Sequence, residues 1–89
     1  MTRLYTEDVN RDGIMAILDS RVDGYTIIPT LGIWQGKRES SLIIELFNVH
    51  SKDARAIAEA IRVLNAQDAV AVVESAETVN MVTGIPTAA

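Results

Sequence analysis

One histidine, no cysteine and a glutamate lodged in an apolar run narrow the chemistry open to this chain. His50 is the only imidazole, so any nucleophile, base and orienting group would have to be assembled around one residue. A metal held there would need carboxylates from distant positions, because thiolates and further histidines are absent. His50 therefore reads first as a solvated residue just before a helix, and no catalytic or metal-binding residue is assigned. Glu45 says more. It stands within Leu42-Ile43-Ile44-Glu45-Leu46-Phe47, where an unpaired carboxylate would be costly to bury. It should face a cleft or a cationic partner, and a salt bridge at a subunit contact fits as well as a ligand contact.

A second group of candidates surrounds the only tryptophan. Trp34, between Gly32 and Gly36, offers a flat face on which a ring could stack, although a packing anchor uses the same residue. Lys37 and Arg38, the only adjacent pair of cations, could reach an anionic ligand. The same pair at a solvated loop tip would do nothing. Gly32 and Gly36 match neither the P-loop nor the dinucleotide-binding spacing, so they are not a phosphate cradle.

The elements that must carry these residues follow from periodicity. Arg3–Thr6 is a short strand, and Asp8 or Asn10 caps a helix expected to run to about Ser20. Ile14, Ile17, Leu18 and Val22 fall on one face of it, and Asp23-Gly24 should end it with glycine at positive φ. Tyr25–Gly32 reads as a strand, Gln35–Ser40 as a polar loop, and Ser41–Asn48 as the strand that completes a hairpin. Ser51 is expected to cap a second helix with the stripe Ala54, Ile57, Ala58, Ile61 and Leu64. Ala69–Ser75 is a fourth strand, and Glu77–Thr83 a short fifth before Gly84 and Pro86.

The resulting β-α-β-β-α-β order predicts an α+β ferredoxin-like sandwich, an antiparallel sheet with two helices on one face. The first and third strands are central in that topology. Along the third, Leu42, Ile44 and Leu46 face one way while Ile43, Glu45 and Phe47 face the other. Ile27 and Leu31 against Ile28, and Val70 and Val72 against Val73, repeat this two-sided pattern. Two helices cover one face only. The other needs a cover, and a second copy of the chain would supply it.

Composition sets the outer bounds. Residues 1–89 suffice for one domain, and 48% hydrophobic content is enough for a core. A domain this small is marginal alone, and oligomerisation is the supplement at hand. Net charge −4 with scattered basic residues argues against general nucleic-acid binding. No apolar run spans a bilayer and no basic-then-apolar leader opens the chain, so membrane insertion is not expected and the cytoplasm is the default compartment.

Several segments resemble the PII signal-transduction superfamily. Asp23-Gly24-Tyr25-Thr26-Ile27-Ile28-Pro29-Thr30-Leu31-Gly32 is similar to its strand that ends in glycine before a mobile loop. Gly32-Ile33-Trp34-Gln35-Gly36-Lys37-Arg38-Glu39 is similar to the loop entrance, and Leu42-Ile43-Ile44-Glu45-Leu46 to the third strand with its glutamate. Thr78-Val79-Asn80-Met81-Val82-Thr83-Gly84 resembles the closing Thr-Gly strand. The likeness spans nearly the whole chain in short pieces. It implies a trimer that binds a nucleotide or related effector in clefts between subunits, with Thr26 and Glu45 near the base.

The departures bear on the ligand. The long target-contacting loop shrinks to Gln35–Ser40. Ala66-Gln67-Asp68 stands where the family carries a glycine- and lysine-bearing phosphate loop. Asn80 and Val82 stand where it carries two arginines. A less phosphorylated or different ligand is implied. Trp34-Gln35-Gly36 also resembles the copper-tolerance CutA family, another trimer of this architecture.

The expectation is thus a non-enzymatic, trimeric PII-like protein for signalling or sequestration. Its ligand contacts would come from Thr26, Gly32, Trp34, Gly36, Lys37, Arg38 and Glu45, with a protein target possible. Two other readings stay open: an assembly protein without ligand, and a small ferredoxin-like enzyme using His50 and Glu45.

Overall fold

Alternation along the strands decides which side chains this chain can bury. The computed structural model describes residues 1–77, 79–80 and 82–84. They form β1 (Thr2–Glu7), α1 (Arg11–Arg21), β2 (Tyr25–Trp34), β3 (Lys37–Leu46), α2 (Ser51–Leu64) and β4 (Ala71–Glu74). The sheet runs β2-β3-β1-β4 with every pairing antiparallel. This is the expected ferredoxin-like sandwich, with β1 and β3 central.

Leu4, Leu42, Ile44 and Leu46 point to one face and are fully or almost fully buried. They meet Ile14 and Leu18 of α1 and Ala54, Ile57, Ala58 and Ile61 of α2. Each large aliphatic side chain taken fully out of water contributes about 1.5–3 kcal/mol, which makes this layer the main source of stability. The two-sidedness read along β3 is present. Ile43, Glu45 and Phe47, on the other face, are only half-buried.

The helix ends differ in detail from expectation. Asn10 caps α1, accepting a hydrogen bond from the Gly13 backbone N–H at 3.2 Å. The helix then stops at Arg21 because Val22 turns extended, and Gly24 does not take a positive φ. Gly24 instead lies against the Phe47 ring, which would stand 3.4 Å from an added Cβ. His50, not Ser51, caps α2: its Nδ1 accepts from the Lys52 backbone N–H at 3.2 Å. Ser51 lies inside the helix and donates to the Glu74 carboxylate. Leu64, read as part of the buried stripe, is exposed at the end of α2.

The hairpin departs most. Gln35–Ser40 is not a loop, because β2 and β3 stay paired up to Trp34 and Lys37. Gln35 and Gly36 alone make the turn, with φ of 50° and 77°. Two successive positive φ values are the mark of a type I′ turn, whose twist matches that of paired strands. The β1–β3 ladder runs only from Leu46 to Ser41, and past it the Asp8 backbone N–H donates to the Ser40 carbonyl at 2.9 Å. The result is a two-stranded arm, Leu31–Trp34 against Lys37–Ser40. The expected fifth strand does not form over the described part of Glu77–Thr83, while Thr78, Met81 and Pro86 lie outside the described residues.

The turn yields a direct prediction. A Cβ on Gly36 would meet nothing within 4 Å, so only the backbone conformation opposes a side chain there. Gly36→Val should cost about 1–2 kcal/mol, a fall in Tm of about 4–8 °C per kcal/mol, whereas Gly36→Asn should cost less. Thermal unfolding followed by circular dichroism checks both; equal melting of all three proteins would show that the turn is not held in this form.

Candidate functional site

On the face away from the helices, register sets neighbours side by side across all four strands. Ile28, Ile43, Tyr5 and Ala71 form one row. Thr26, Glu45, Arg3 and Val73 form the next. Glu45 has the cationic partner its apolar strand calls for. The Arg3 Nε donates to its Oε2 at 3.0 Å, while Arg3 Nη2 reaches Glu77 at 3.0 Å. Hydrogen bonds to Glu77 and Glu45 hold the Arg3 guanidinium above its ordinary pKa. Neutralised in this way, the row can be covered without stranding a lone charge. The first row is largely apolar, with Ile28 and Tyr5 exposed.

Next to that row lies a cleft of about 510 Å³. Three segments bound it: the C-terminal half of β1, the arm, and the connection 65–69 between α2 and β4. Tyr5, Ile43 and Trp34 supply its broad surfaces. Gly32 lets the arm close on itself, since a Cβ there would stand 2.5 Å from the Ser41 Oγ. On the opposite wall Gln67 is anchored: its Oε1 accepts from the Thr6 Oγ1 at 2.8 Å. Its amide nitrogen is buried and has no hydrogen-bond partner among the described residues. The volume falls within the roughly 300–1,000 Å³ typical of small-molecule sites.

The structure therefore divides the candidate residues. Gly32 and Trp34 line the cleft. Thr26 and Glu45 are register partners on the open face, and neither lines it. Thr26 and Trp34 are eight positions apart on β2, about 26 Å at the rise of an extended strand. Gly36 sits in the turn. Lys37 and Arg38 are not at a loop tip; they open β3 opposite Trp34 and Ile33, outside the cleft lining. His50 is occupied as a helix cap, and among the described residues no cluster of metal-ligating side chains forms.

Tyr5, Glu39, Gln67 and Asp68 also line the cleft and were not singled out from the sequence. Only the short Gln35-Gly36 turn signal could have pointed to them, by extending the hairpin far enough to make a wall. No protein-family model matches the chain, and no curated protein matches it either. No helix among the described residues is long and apolar enough to cross a membrane.

Proposed function

We propose that this chain is a non-enzymatic effector-binding protein that works as an oligomer, a trimer on the PII-like reading. It would hold a small metabolite of nucleoside size in the cleft beneath the arm. The observation that carries the reading is the cleft's place beside an apolar sheet face that is left partly exposed among the described residues. Tyr5, Ile28 and Val73 are exposed on that face, and Leu31 and Ile33 on the arm are 67% and 71% exposed. Surfaces of this kind mark association sites. A neighbouring subunit docked there would also wall the cleft, coupling ligand binding to assembly.

Binding would then act by differential affinity: the ligand favours one disposition of the arm, and the arm sets affinity for a protein target. With a turn of two residues in place of a long loop, sequestration of the ligand is the simpler use. The cytoplasm is the compartment that this reading assumes.

The test is mass spectrometry of small molecules released from the natively purified protein, followed by thermal shift with what is found. A bound metabolite at near-stoichiometric amount that raises Tm supports the reading, because ligands selective for the native state stabilise it. An assembled protein that carries no small molecule and gains no stability from any metabolite would leave assembly as its only role.

A further inference from the structure

Among the described residues, the lining side chains that carry charge at neutral pH are of one sign: Glu7, Glu39 and Asp68 line the cleft, and no lysine, arginine or histidine does. Among the described residues none of these three carboxylates takes part in an ion pair. Carboxylates around a concave surface focus a negative potential into it. A phosphate entering this space would meet like charge and no cation. An organic cation would meet opposite charge and two aromatic side chains, Tyr5 and Trp34, whose ring faces attract cations.

An inorganic cation would leave most of about 510 Å³ with its aromatic lining unfilled.

Resting on the effector-binding reading, we infer that the cleft selects a small, flat organic cation and rejects anions such as nucleoside phosphates. Attraction comes from Glu39, Asp68 and Glu7, and the stacking surface from Trp34 and Tyr5. Lys37 and Arg38 stand outside the cleft lining.

The experiment uses three probes of nearly one shape and different charge: N-methylated nicotinamide as cation, nicotinamide as neutral molecule, and nicotinate as anion. Trp34, the only tryptophan, reports binding by its fluorescence, with saturation-transfer NMR of each probe as a second readout. The cation should bind at least about tenfold more tightly than nicotinate, with nicotinamide between them. Glu39→Gln, alone and with Asp68→Asn, should shrink that ratio in steps. Nicotinate binding as tightly as the cation, or no binding of the cation at millimolar concentration by either readout, overturns the inference. Its failure is separable from failure of the assembly reading: a monomer that prefers the cation contradicts only the latter, and an oligomer that prefers nicotinate only the former.

Discussion

Replacing Ile44 by alanine is expected to remove about 2–5 kcal/mol of stability, the range for emptying a fully buried aliphatic site. Ile44 has no exposed surface, and in register it lies between Leu4 on β1 and Ile27 on β2. The floor of the cavity would be β-sheet backbone and its roof the two helices, neither of which can collapse freely to fill it. Domains of this size hold only about 5–15 kcal/mol in all, so the variant should melt far below the parent or remain partly unfolded at ambient temperature. Ile28→Ala, a similar deletion on the exposed face, should cost the isolated subunit much less. Chemical denaturation of both variants decides it. A cost below about 1 kcal/mol for Ile44→Ala would mean that the helix-covered layer is not the main source of stability.

The second large effect is expected at Ile43, one residue away and on the opposite face. Ile43 lies between Ile28 and Tyr5 at the centre of the open sheet. If another subunit covers that row, a lysine there would be buried without a partner, and assembly should weaken at least about a hundredfold. The subunit itself should keep its fold, because in the single chain the side chain has room to reach water. Ile43→Val should assemble normally. A lysine variant that associates as strongly as the parent would place the subunit contact elsewhere.

How far the sequence reveals these features depends on burial. The stripe Ala54, Ile57, Ala58 and Ile61 was legible because α2 packs one face on the sheet and exposes the other. The two apolar faces of β3 were legible for the same reason, and they still point to an open surface. The arm was not. Lys37, Arg38 and Ser40 are exposed polar residues and Glu39 is only partly buried, so no apolar alternation marks Lys37–Ser40 as strand, and its pairing with β2 is mainly backbone. The α2 cap was read as Ser51, one residue late, because Ser is a favoured cap and His50 beside it can also accept from a helix N–H. The cleft was hidden because Tyr5, Glu39 and Gln67 lie on three distant segments that only the fold brings together. Glu45 was read correctly as needing a partner, but Arg3 could not be named without the register.

The most direct test of the central claim is the solution mass of the parent chain at micromolar concentration, by sedimentation velocity and native mass spectrometry. The account predicts a species of three times 9.7 kDa that falls to single subunits in the Ile43→Lys variant. A parent chain that sediments as a stable, folded monomer of 9.7 kDa would contradict it.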